Sequence, residues 1–124
     1  VVADGSGLSA NNAVSMTQVA EFMALVWEGN DGLSYVRDGL SLAGVTGSLR
    51  NRFGGDNADA RGNVYGKTGW ITTAYSLAGI VEAKDGSLIA YSVSAVRDGI
   101  SSDAKDAIDS LVAGFYCGSN LANY

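Results

Sequence analysis

The chain has 124 residues, 47% of them hydrophobic and 17% charged, with a formal net charge of −5. That length and balance suit one folded domain rather than disorder, and an acidic surface argues against nucleic acid or an anionic membrane as a partner, because both reward a basic face. The chain has no histidine, which removes Ser-His-Asp and Cys-His catalysis and most zinc sites from these residues and leaves lysine as the obvious base.

Residues 1–12 read as a Gly/Ser/Asn-rich loop. A helix follows, because Ser15 and Gln18 fit a capping box and Met16, Val19, Ala20, Met23, Val26 and Trp27 recur at helical spacing until Gly29 and Asn30 stop it. A short second helix is predicted over 31–38, with Leu33 and Val36 on one side. Residues 39–62, rich in Gly, Asn, Asp and Arg, are predicted to be a long loop with little regular structure, the kind that is usually functional or disordered.

The pattern then changes to three strands, over 63–70, 74–84 and 87–97, with Asp85-Gly86 as a hairpin signal between the last two. Leu77 and Val81 fall on one face, Ala78 and Ile80 on the other, so the sheet needs a cover on both sides. A last helix is predicted over about 102–115, capped by Ser101 or Ser102, with Ala104, Ile108, Leu111, Val112 and Phe115 as its apolar stripe. The expected fold is α+β (α/β in the broad sense), an antiparallel sheet flanked by helices. No stretch is long and apolar enough to span a bilayer. Cys117, the single cysteine, reads either as a small hydrophobe or as half of a disulfide to a segment outside the chain.

Two motifs carry chemistry. Ser9 and Asn11 form Ser-x-Asn in the first loop, and Lys67-Thr68-Gly69-Trp70 lies on the first long strand. Taken singly, each also has a plain reading: a polar turn for the first, an edge lysine beside a glycine bulge for the second. Together they match two of the three signatures of serine β-lactamases and penicillin-binding proteins.

The order of segments resembles more. The DGSGLS stretch with Asn11 shortly after, the run from Ala43 to Phe53 (AGVTGSLRNRF), Val64-Tyr65-Gly66-Lys67-Thr68-Gly69, and Ser76-Leu77-Ala78-Gly79 are similar, in order, to the D-alanyl-D-alanine carboxypeptidases of peptidase family S13, the class C low-molecular-mass penicillin-binding proteins. The resemblance covers nearly the whole chain. It implies a β-lactamase/DD-peptidase-like fold of which residues 1–124 are the C-terminal part. It also implies an exported, extracytoplasmic serine peptidase of the cell envelope or periplasm that trims peptidoglycan stem peptides through an acyl-enzyme and is acylated by β-lactams, with no cofactor.

In that scheme Ser9 passes a proton towards the leaving amine, and Asn11 donates to the substrate amide oxygen and orients the catalytic lysine. Asn12 takes that place if the register is off by one. Lys67 and Thr68 face the substrate carboxylate, Gly69 allows close approach, and the backbone N–H of Trp70 forms half of the oxyanion hole. The family usually has threonine where this chain has Trp70, which removes one hydroxyl from carboxylate recognition.

The family's Ser-x-x-Lys nucleophile is expected in an upstream segment of the same protein, or in a companion chain, since the chain opens at Val1 rather than Met. The 124 residues alone are therefore expected to be inactive. Ser102-Asp103-Ala104-Lys105 has the same spacing but sits where a helix cap is expected. Arg50, Arg52 and Arg61 read as loop cations or as ligands for an acidic stem peptide. The alternatives are a β-lactamase-like hydrolase or esterase on the same fold, and a non-catalytic peptidoglycan-binding domain.

Overall fold

The computed structural model describes residues 1–117 of the chain. Helix α1 (Met16–Glu28) begins at the expected capping box: Ser15 accepts from the Gln18 amide at 3.1 Å, and the Gln18 side chain accepts from the Ser15 amide. It ends at Gly29, whose φ of 76° is the left-handed conformation that glycine tolerates. Helix α2 is shorter than predicted, Ser34–Asp38, and Arg37 ties it to α1 through a 2.7 Å bond from Nη1 to the Trp27 carbonyl.

Strands β1 (Ser41–Leu42), β2 (Val64–Ile71), β3 (Ala74–Glu82) and β4 (Leu88–Val96) form one antiparallel sheet in sequence order. Thr72 and Thr73 make the tight turn between β2 and β3. The Asp85-Gly86 turn closes β3–β4, with Gly86 at φ 84° and the Ala83 amide bonded to the Ser87 carbonyl at 2.9 Å. Helix α3 (Asp103–Tyr116) is the last element among the described residues.

The cross-strand pairs Val64–Val81, Gly66–Gly79, Thr68–Leu77 and Gly79–Tyr91 put these side chains on one face of the sheet. That face meets Ile108 and Val112 of α3 in the main core. The other face carries Tyr65, Lys67, Gly69, Ser76 and Ala78 and receives α1, with the Trp27 ring 4.9 Å from that of Tyr65. The expectation of two covered faces is met: Leu77, Val81, Ala78 and Ile80 are all buried.

The predicted loop at 39–62 is not structureless. It holds β1 and two 3-10 turns, Gly47–Leu49 and Gly55–Ala60, and it sends Ala43, Leu49, Phe53 and Ala60 into the core. Its supports are long-range, which hides them from a local pattern: the Ala43 amide bonds the Val64 carbonyl, and Arg52 bonds Asp109 through Nε (3.2 Å) and Nη2 (2.6 Å). Asp109 Oδ2 also accepts from the Phe53 amide at 3.2 Å, and Arg61 Nε donates to the Phe53 carbonyl at 2.9 Å. Phe53, at φ 59° and fully buried, is thus gripped on both sides of a backbone conformation that a bulky residue seldom adopts.

Two details of the helices differ from expectation. Ser102 occupies the N-cap of α3 without a side-chain bond; instead the Ser101 and Ser102 carbonyls accept from Ala104 and Lys105 in a tight first turn. Leu111 of the apolar stripe is half exposed, and the buried position beside it is Asp109.

Candidate active site

The first loop is organised by one carboxylate. Asp4 accepts from the Gly7 amide (2.8 Å), the Ser9 amide (2.8 Å) and Asn12 Nδ2 (3.0 Å). Asn12 Oδ1 accepts in turn from the Ala3 and Asp4 amides, and its Nδ2 also reaches the Ser9 carbonyl. Gly7 turns the chain at φ 77° so that these N–H groups point inward. The Asn12 bond first, and then the Gly7 and Ser9 amides, hold the Asp4 carboxyl below its ordinary value of 3.8 against the opposing effect of desolvation.

Within this frame Ser9 is half-buried, and its Oγ accepts from the Asn11 amide at 3.1 Å. The two adjacent asparagines have different settings in the loop. The Asn12 side chain is consumed by the scaffold, whereas the Asn11 side chain is exposed.

The second motif occupies the far half of β2. Strand β1 pairs only with Tyr65 and Gly66, so the β1-side edge of β2 beyond Gly66 has no strand beside it among the described residues. Lys67 and Gly69 share the face that α1 packs on, and Thr68 and Trp70 share the opposite face. Lys67 is exposed and its Nζ donates to the Thr68 carbonyl at 2.7 Å. Thr68 Oγ1 donates to Ser48 Oγ at 2.9 Å. A side chain at Gly69 would collide with Ser76 Oγ. Trp70 is 69% exposed and stacks on Tyr75 at 6.2 Å and 24°.

An open cleft of about 840 Å³ lies between the first loop and the sheet. It brings together Ser9 from the loop and Gly69 and Trp70 from the end of β2, with Ser76 on its floor. Asn11, Lys67 and Thr68 stand outside its lining. Ser102 and Lys105 belong to α3, on the other side of the sheet, where Lys105 Nζ lies 5.9 Å over the Tyr75 ring. Of the three arginines, Arg52 is bound to Asp109, while Arg61 and Arg50 are exposed, with Nε bonded to the Phe53 carbonyl at 2.9 Å and to the Val45 carbonyl at 3.3 Å respectively.

Sequence reasoning missed Asp4 and Ser48. The Asp-Gly-Ser-Gly run was a usable signal for the first, because an aspartate accepting amides a few residues ahead is a common turn. Nothing local signals Ser48, whose partner lies 20 residues away. Among the described residues no cluster of side chains could hold a metal ion, and no helix is long and apolar enough to cross a membrane.

The D-Ala-D-Ala carboxypeptidase 3 (S13) family model matches residues 1–115. The chain is 33% identical over 94 residues to the D-alanyl-D-alanine carboxypeptidase DacB of Haemophilus influenzae, covering 73% of this chain and 19% of that protein. It is 31% identical over 113 residues to the carboxypeptidase DacB of Mycolicibacterium smegmatis, covering 89% of this chain and 24% of the relative. The chain thus spans about a fifth to a quarter of the length of these curated relatives.

In fold it resembles the crystal structure of penicillin binding protein 4 (dacB) from Haemophilus influenzae, with a TM-score of 0.78 and 24% identity over 94% of this chain and 27% of that one. It also resembles a predatory endopeptidase of Bdellovibrio bacteriovorus solved with an immunity protein, with a TM-score of 0.67 and 21% identity over 92% of this chain and 30% of that one. The α+β architecture is therefore that of the DD-peptidases, and the chain belongs to the D-Ala-D-Ala carboxypeptidase 3 (S13) family.

Proposed function

We propose that these residues form the second and third motif walls of a serine D-Ala-D-Ala carboxypeptidase/endopeptidase that acts outside the cytoplasm on peptidoglycan stem peptides. The observation that carries this reading is a cleft with Ser9 on one side and Gly69 and Trp70 on the other. In the proposed reaction a serine from a segment not included in these 124 residues attacks the carbonyl of the penultimate D-Ala, and water later releases the acyl group. Ser9 hands a proton to the departing amine, and its fixed Asn11 amide bond keeps its Oγ oriented. Asn11, with its side chain exposed, donates to the substrate amide oxygen.

The β2 edge beyond Gly66, which has no strand beside it among the described residues, suits an extended peptide laid along its backbone. There the Trp70 N–H serves the developing oxyanion, while Lys67 supplies positive charge and Thr68 a hydroxyl for the terminal carboxylate. β-Lactams would be captured by the same acylation. Ser102 does not serve as the nucleophile, because α3 covers the opposite face of the sheet.

The test is made on the parent protein. It should form a covalent adduct with a labelled penicillin and release D-Ala from a D-Ala-D-Ala peptide. Lys67→Ala should lower kcat/KM by roughly ten- to a hundredfold, the weight of a hydrogen-bonded charge, and Ser102→Ala should change nothing. A parent that neither takes up the label nor releases D-Ala contradicts the proposal, as does turnover by residues 1–124 alone.

A further inference from the structure

Three hydroxyls stand in a row beside the second motif. Thr68 Oγ1 donates to Ser48 Oγ at 2.9 Å, and Ser48 Oγ lies 3.3 Å from Ser41 Oγ, which also accepts from the Ser48 amide at 3.1 Å. The row is built rather than incidental. Strand β1 fixes Ser41 opposite Gly66, one pair short of the motif. The 3-10 turn Gly47–Leu49 then folds back over β1, with Leu49 fully buried as its anchor. Ser41 Oγ occupies the space that a side chain at residue 47 would need, so the close approach depends on Gly47, which also sits at φ 56°.

From this arrangement we infer that Ser48 is a positioning residue for carboxylate recognition, acting through the hydroxyl of Thr68; the inference rests on the function proposed above. A hydroxyl has one proton and two acceptor sites. Without substrate, the Thr68 proton rests on Ser48. When a carboxylate arrives at Thr68, that proton must turn to the anion. Ser48 then rotates its own proton onto Thr68 Oγ1, and Ser41 can do the same for Ser48. The reversal leaves no hydroxyl unsatisfied, and each bond polarises the next, which strengthens the last donor. Trp70, two residues further on the same face of β2, has no hydroxyl to contribute, so this chain relies on the Thr68–Ser48 pair where a second strand hydroxyl is absent.

The experiment compares a D-Ala-D-Ala peptide with its C-terminal amide as substrates of the parent protein. Ser48→Ala should raise KM for the free carboxylate about tenfold, the weight of one charge-assisted bond, and leave kcat and the amide almost unchanged. Ser41→Ala should act in the same direction but less. Ser48→Thr, which keeps the hydroxyl, should restore the preference for the carboxylate. Equal losses on both substrates would mean that Ser48 only supports the fold and would overturn the inference, as would an unaltered preference or failure of Ser48→Thr to rescue. A wild-type parent that is active while Ser48→Ala behaves like it sinks this inference alone; a wild-type parent with no acylation by penicillin and no D-Ala release sinks the function proposal and this with it.

Discussion

The Asp4 carboxylate gathers three N–H groups of its own loop, and the amide of Ser9 is one of them. Because its folded pKa is lowered from 3.8, its hold is complete above that value and is lost as pH falls through the lower folded value. Titration of the Gly7 and Ser9 amide NMR signals should therefore show a midpoint below 3.8; a midpoint above it would contradict the clamp. Tyr91 gives the opposite case. Burial pushes its phenol well above the ordinary 10.0, and the hydroxyl donates to the Tyr65 carbonyl at 3.0 Å. The neutral phenol is favoured by the fold, so its contribution is complete below pH 10.0 and disappears as pH climbs towards the raised value. Urea unfolding should show wild type losing stability between pH 9 and 11 relative to Tyr91→Phe, which at neutral pH should itself cost about 1 kcal/mol for the lost bond.

At the scale of elements, what could be read from sequence was whatever is encoded locally. Ser15 and Gln18 announced α1, the change to stretches apolar on both faces announced β2 to β4, and Asp85-Gly86 announced a turn. Residues 39–62 were opaque because their order comes from partners far along the chain: Arg52 and Phe53 meet Asp109 across 57 and 56 residues. Nothing local sets Asp109 apart from the other acidic positions of α3: Lys105, one turn earlier, offers a counter-charge, yet the structure pairs Asp109 with Arg52. The same holds for the candidate site. Ser9 and Lys67 were legible as motif letters, whereas the hydroxyl that receives Thr68 was not. The Arg52–Asp109 pair has side chains only 14% and 5% exposed. Removing either partner strands a buried charge, and Asp109→Ala or Arg52→Ala should each cost about 3–5 kcal/mol. The double substitution should cost little more than either single one, and a double-mutant cycle by urea denaturation measures that. Strict additivity would show that the pair does not act as a unit.

At the scale of the molecule, α1 is apolar on more than the side it buries. Met23 and Val26 face the sheet, while Phe22 and Leu25 remain 46% and 52% exposed. Val96 and Val14, on the same side as the cleft, are likewise open. A helix with apolar residues on both sides calls for a cover on both, which fits a chain spanning about a quarter or less of its relatives' length. Expressed by themselves, the 124 residues should self-associate in analytical ultracentrifugation and bind an apolar dye; a monodisperse, dye-silent monomer would argue against this. The bond between Arg52 and Asp109 carries a further implication. It fastens α3 to the segment that delivers Ser48 to Thr68, so the helix packed on that face of the sheet helps set the geometry at the β2 edge. If the function proposed above holds, a substitution at Asp109 should weaken carboxylate recognition without removing any group that touches the substrate.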